Sequence, residues 1–189
     1  VQVYVQLEEY DKALDYAKRN YEENRGNQFH TQAYFNCLIN SETPEEHSKQ
    51  LQKLIDNLRK IDSEQSNEMA DIADALYHAK VINNKILSLD KINDCVGRYP
   101  ENHYPLLAKC DIALKYRDKE VLKNGLEELE KIIKKRHFSL RTLNRYKASL
   151  LALNGDIDSA LSVIEKDLYR YPQESKDRIT AKLEEYAGL

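Results

Sequence analysis

The 189-residue sequence contains no tryptophan, one methionine, three phenylalanines, five glycines and four prolines. Five scattered glycines leave no glycine-rich loop of the kind whose backbone amides cradle phosphates. The serines lack the sharp strand-to-helix context of a nucleophile elbow. No apolar run approaches the ~20 residues that a membrane-spanning helix needs, and no signal-peptide pattern opens the chain. There are only three cysteines, Cys37, Cys95 and Cys110. They are odd in number, far apart and set in apolar helical surroundings, which reads as buried free thiols of a reduced cytoplasmic protein. The five histidines, His30, His47, His78, His103 and His137, form no HExxH, and there is no CxxC. The resulting expectation is a protein with no catalytic residues, no metal and no cofactor.

What is present is helix-forming material. Little Gly and Pro, with abundant Leu, Lys, Glu and Ala, points to a nearly all-helical chain. Hydrophobic residues make up 41% of it, enough at this length for one domain with a core. Charged residues make up 32% and the formal net charge is −3, with a mean hydropathy of −0.73. The chain opens on Val1 and is already in a helical pattern. It is therefore read as a single domain, residues 1–189, cut from a larger multidomain protein.

The strongest signal is the stretch Gly155–Pro172. Gly155 follows an apolar helical run, where a glycine can take positive φ. Asp156 or Asp158 can cap the next helix. Ile157, Ala160, Leu161, Ile164 and Leu168 recur at spacings of three and four, the pattern of an amphipathic helix. Pro172 ends it. Leu143, Tyr146, Ala148, Leu150, Leu151 and Leu153 form the preceding helix, and the short turn makes the pair antiparallel.

Similar patterns recur along the chain. Val1 to Leu7 reads as the end of a first helix, followed by one carrying Tyr10, Ala13, Leu14, Ala17 and Tyr21 and closed by Gly26. Helices are expected around Phe29–Leu38, then from Pro44 through Leu58, then from Met69 to Tyr77 after a polar link at 62–67. Further helices run from Ile86 to Gly97, His103 to Tyr116 and Val121 to Ile133, and a polar one from Glu174 to Tyr186 caps the end. Ala13, Leu51, Ser88, Gly125 and Ala160 are spaced by 38, 37, 37 and 35 residues. Four of these five are small. Ile39, Leu76, Ala113 and Ala148 lie twelve positions before the last four. Small residues at both places let two helices approach closely.

Ala148, Gly155, Ile157, Ala160 and Pro172 stand at the spacing of the tetratricopeptide-repeat consensus, positions 8, 15, 17, 20 and 32. The chain resembles that family, with degenerate repeats; Asn144 occupies the place of its tryptophan. The resemblance implies a right-handed α-α superhelix, a solenoid of about five antiparallel hairpins plus the C-terminal capping helix. It also implies a protein or peptide ligand lying in a concave groove lined by the first helix of each repeat. The groove candidates are then Gln32, Asn36 and Asn40; Asp74, Tyr77 and His78; Lys109 and Lys115; and Arg141, Arg145 and Ser149. Tyr104 joins Tyr77 as an aromatic candidate, whereas Tyr10, Tyr16, Tyr21, Tyr34 and Tyr146 fall at packing positions. The family's two-carboxylate clamp of Lys, Asn and Arg is absent. The irregular repeat lengths look like the C-terminal arrays of large bacterial signalling or defence ATPases.

Two other features compete for function. Asp71, Asp74 and His78 share one helical face, a trio that suits a metal or an acid–base pair and equally a polar solvated surface, which is the reading preferred. Lys131, Lys134, Lys135, Arg136, Arg141, Arg145 and Lys147 occur with no acid between 131 and 154. That segment is the basis of an alternative reading as a nucleic-acid or polyanion binder. It also has a plain explanation, because cations complement a helix C-terminus and Glu127, Glu128 and Glu130 precede them. A third reading is a structural spacer or oligomerisation arm.

Overall fold

The computed structural model describes residues 10–135, 140–169 and 171–189. Among them are ten α-helices and no strand: α1 Tyr10–Glu23, α2 Gln28–Ile39, α3 Ser48–Lys60, α4 Glu64–Lys80, α5 Lys85–Arg98, α6 Tyr104–Lys115, α7 Lys119–Lys135, α8 Leu140–Leu153, α9 Ile157–Leu168 and α10 Gln173–Ala187. The all-α class expected from composition is what the chain adopts. The expected helix over Val1–Leu7, together with Arg136 and His137, lies outside the described residues. So do the side chains of Tyr10, Lys134 and Lys135.

Helix ends follow local chemistry. The side chains of Asn27, Ser63, Asn84 and Asp156 each accept a hydrogen bond from a backbone N–H in the first turn of α2, α4, α5 and α9. The choice left open between Asp156 and Asp158 is settled for Asp156. Gly155 takes φ +86°, as its place in the turn requires. Asp62, Asn83 and Arg117 adopt positive φ in the equivalent tight turns before α4, α5 and α7. Two boundaries differ from expectation. The polar link at 62–67 is only a turn, because Ser63 caps a helix that starts at Glu64. Pro44 opens a 3-10 turn, Pro44–His47, rather than α3 itself.

The chain divides into two compact units, residues 1–99 and 100–189. The division falls at Pro100, which has no N–H with which to continue a helix. In the first unit α1 packs on α2, α2 on α3 and α4, α3 on α4, and α4 on α5. Leu51, Leu54 and Leu58 of α3 are fully enclosed, with Phe35 and Ile39 of α2 at 1% exposure. In the second unit α6 packs on α7, α7 on α8, α8 on both α9 and α10, and α9 on α10. Its C-terminal core joins Ala148, Ala152, Ala160, Ile164, Ile179 and Leu183.

All the evenly spaced marks are interior. Ala13, Leu51, Ser88 and Ala160 are 0% exposed and Gly125 is buried. Their counterparts Ile39, Leu76, Ala113 and Ala148 are also buried. Gly125 shows how tight such a contact is. A Cβ placed on it would sit 3.0 Å from Sγ of Cys110 on α6. Gly125→Ala gains about 0.5–1 kcal/mol of helix propensity but overpacks a fully enclosed thiol, at about 1–3 kcal/mol. We expect a net loss of about 1 kcal/mol in urea unfolding, largely relieved when Cys110→Ala is added. A rise in midpoint for the single variant would show that α6 and α7 separate freely.

Candidate functional site

The groove candidates come from first helices, and most turn out to be engaged by neighbouring helices. On α2, Asn36 is half-buried. Asn40 Nδ2 donates to the Asn36 carbonyl at 2.9 Å, and Asn40 Oδ1 accepts from Lys80 Nζ of α4. Asn40 thus ties two first helices together. Gln28 extends the tie at their other ends, donating to Gln65 Oε1 at 2.6 Å and accepting from the Ser63 hydroxyl at 3.1 Å.

On α4, Asp74 Oδ2 accepts from Arg59 of α3 at 3.2 Å and from Lys91 of α5 at 2.9 Å. Its Oδ1 lies 3.5 Å from His78 Nε2. Asp71 is held by Arg98 at 2.7 Å, and Arg98 also grips Asp94. Asp71 and Asp74 are therefore held in cross-helix ion pairs, while His78 lies beside Asp74 one turn along the same helix. No group of three metal-ligating side chains occurs among the described residues. The Nδ1 of His78 is buried without a hydrogen-bond partner among them. Tyr77 is 4% exposed, with its hydroxyl 2.8 Å from Ser48 Oγ. It is a packing residue and leaves the list of surface candidates.

In the second unit Lys109 Nζ is 3.4 Å from Glu128 Oε1, and Lys115 is exposed. Tyr146 Oη lies 2.7 Å from Asp111 Oδ1 and 3.2 Å from the Leu107 carbonyl, tying α8 to α6. Ser149 is 7% exposed and also leaves the list. Arg141 is exposed, in a shallow depression it shares with Glu165, Lys166, Asp167 and Tyr169. The Arg145 guanidinium lies 5.8 Å from the ring centre of Tyr171. Lys147 pairs with Glu130 at 2.7 Å. The acid-free run in the sequence thus meets carboxylates brought in from α7 and α9. Tyr104 is half-exposed, as a surface aromatic must be, whereas Tyr16, expected to pack, is 55% exposed. Tyr21 and Tyr34 do pack, with ring centres 5.4 Å apart.

No family model, no curated protein and no solved structure matches the chain. The site has to be read from its own chemistry.

The cysteines contribute no reactive group to that chemistry. All three are free and buried. Burial pushes the Cys37 thiol up to about 11. Cys95 and Cys110 rise to about 12, again chiefly by burial, with Asp71 adding to Cys95 and Asp111 to Cys110. At neutral pH each stays a thiol, and the thiolate is the nucleophile.

A feature that sequence reading missed lies in the first unit. A cleft of about 670 Å³ opens between α1 and α3, over Tyr34 of α2. Lys18 lines it from α1, Arg25 from the turn that follows α1, and Lys53 and Lys60 from α3. None of these four cations forms an ion pair with a described residue. Acids alternate with them along the chain, so no basic run is visible. The available signal is partial: Lys53 and Lys60 are seven residues apart on α3, two helical turns, and so lie on one face.

Proposed function

We propose that the chain is a non-catalytic, protein- or peptide-binding helical-repeat module resembling tetratricopeptide repeats, serving as a scaffold or sensor within a larger cytoplasmic protein. The observation that carries this reading is the burial of small residues at matching places in successive hairpins, Ala113 with Gly125 and Ala148 with Ala160. Under this reading α2 and α4 in the first unit, and α6 and α8 in the second, are the helices that present polar side chains to a ligand. Asn36, Lys109, Arg141 and Arg145 are the members of the sequence-based set best placed for it. The alternative of polyanion binding by residues 131–147 is weakened by carboxylates near that segment, Glu130 beside Lys147 and Glu165 and Asp167 beside Arg141. Among the described residues no helix is long and apolar enough to cross a membrane.

The test is a displayed peptide library selected on the purified chain, with the winning peptide titrated against variants. Arg141→Glu and Arg145→Glu should each weaken it about tenfold, the loss of one charge-assisted contact, while the melting temperature stays within a few degrees. No enrichment over an unrelated helical protein, or full binding by both variants, sinks the proposal. Unfolding of Arg145→Glu would show that its contact with Tyr171 is structural, and Arg141→Glu then decides alone.

A further inference from the structure

The cleft between α1 and α3 is a different surface from the polar faces of the first helices, and its charge is out of keeping with the whole chain. The chain carries a net −3, yet four cations and a single carboxylate, Glu22, line this cleft. Glu22 lies close enough to Tyr34 to help burial raise that phenol above its usual range. Like charges held around one cavity repel one another, and Glu22 alone offsets them within the cleft. An arrangement of this kind is relieved by an anionic ligand.

The remaining lining narrows the ligand. Asn57 Nδ2 donates to Tyr21 Oη at 2.7 Å. The tyrosine hydroxyl thereby has its acceptor site used, while its own proton remains available to a ligand oxygen. Tyr21 and Tyr34 are 5% and 7% exposed, so they offer edges and hydroxyls rather than open ring faces. A base-stacking platform of the single-stranded nucleic-acid kind is therefore absent here. Three of the four cations are lysines, point charges suited to the many orientations of phosphate oxygens. A site reading single carboxylates would favour the two-pronged arginine fork. Lys53 and Lys60 are separated by about 10 Å along α3, and Arg25 lies in the turn beyond the end of the helix that carries Lys18. That spacing spreads the positive charge along a line rather than at one point. The cleft's volume lies within the roughly 300–1,000 Å³ usual for small-molecule sites.

We infer that this cleft binds an oligophosphate group, held by Lys18, Arg25, Lys53 and Lys60 and hydrogen-bonded by Tyr21. The group can arrive as an inorganic chain or as the phosphate tail of a nucleotide.

Calorimetric titration of the whole chain with sodium tripolyphosphate, ATP and adenosine tests this. Tripolyphosphate should bind one to one, with affinity falling steeply as salt rises. The double variant Lys53→Glu/Lys60→Glu, at two exposed positions, should weaken it by about a hundredfold, some tenfold for each reversed charge. Glu22→Gln should tighten it by about threefold, removing the one opposing charge. Lys123→Glu and Glu184→Gln, exposed changes elsewhere, should leave it unchanged. Equal affinity for tripolyphosphate and ATP, with none for adenosine, identifies the phosphate chain as what is read. Tighter ATP binding identifies a nucleotide as its carrier. Absence of tripolyphosphate binding overturns the inference. So does equal weakening by Lys123→Glu, or binding of a hexaglutamate peptide as tight as tripolyphosphate. Arg141→Glu and Arg145→Glu leave this titration unaffected, so the peptide-binding proposal and this one fail separately.

Discussion

Replacing Ile164 by alanine should cost about 2–5 kcal/mol, near the top of that range. Ile164 is 1% exposed on α9 and packs among Ala148, Ala152, Ala160, Ile179 and Leu183. Three carbons leave the core, which at about 0.8 kcal/mol each removes roughly 2.4 kcal/mol of transfer free energy. The rest depends on how far the surroundings collapse. Three of the five other buried residues of this core are alanines, which have no side-chain torsion with which to fill a void, so any collapse must come from partly buried side chains at its edge such as Leu161 and Leu168. Hydrogen exchange of the α8 and α9 amides is the appropriate measure, because it reports the C-terminal core whether or not the two units unfold together. Partly buried Val163 on the same helix, changed to alanine, should lose much less. A loss below about 1 kcal/mol for Ile164→Ala would mean that α10 does not cover this core.

The same core explains which features the sequence made legible. Ile157, Ala160 and Ile164 repeat at helical spacing, and burial follows periodicity because a helix has only one face to hide. Ala148 and Ala160 could be paired across a turn because Gly155 and Asp156 define that turn chemically. Caps were legible for the same local reason. Side-chain engagement was not. Asp71, Asp74 and His78 were correctly placed on one face. The partners of the two aspartates, Arg59, Lys91 and Arg98, come from α3 and α5, and only three-dimensional packing brings them there. Tyr77 and Ser149 fell at surface-facing positions by counting alone. Each is buried, and because successive residues of a helix are 100° apart, a small rotation turns a groove position into a buried one. The run from Lys131 to Lys147 looked unopposed because its carboxylates, such as Glu130 for Lys147, belong to a neighbouring helix. The cleft between α1 and α3 stayed hidden for the opposite reason. Its cations are interspersed along the chain with acids, of which only Glu22 lines the cleft.

Ala160→Leu is the sharper test of how the hairpins are built. Ala160 is 0% exposed on α9 and packs in the same cluster as Ala148 of α8, also 0% exposed. Three added carbons have no void to enter, and the backbone of one helix must move away from the other. The expected loss is about 1–3 kcal/mol, the range for overpacking a well-filled core. A cavity elsewhere on the helix gives the test an internal control. Ile164 lies one turn from Ala160 on the same face, so Ala160→Leu combined with Ile164→Ala exchanges volume between adjacent places. The double variant should be more stable than the two separate losses predict, by about 0.5–3 kcal/mol of favourable coupling. Ala160→Ser, nearly isosteric, should lose less than Ala160→Leu. An unchanged melting temperature for Ala160→Leu would show that α8 and α9 are not held close by small residues. The register from Ala13 to Ala160 would then lose its physical meaning, and with it the assignment of α8, with Arg141 and Arg145, as a ligand-facing helix.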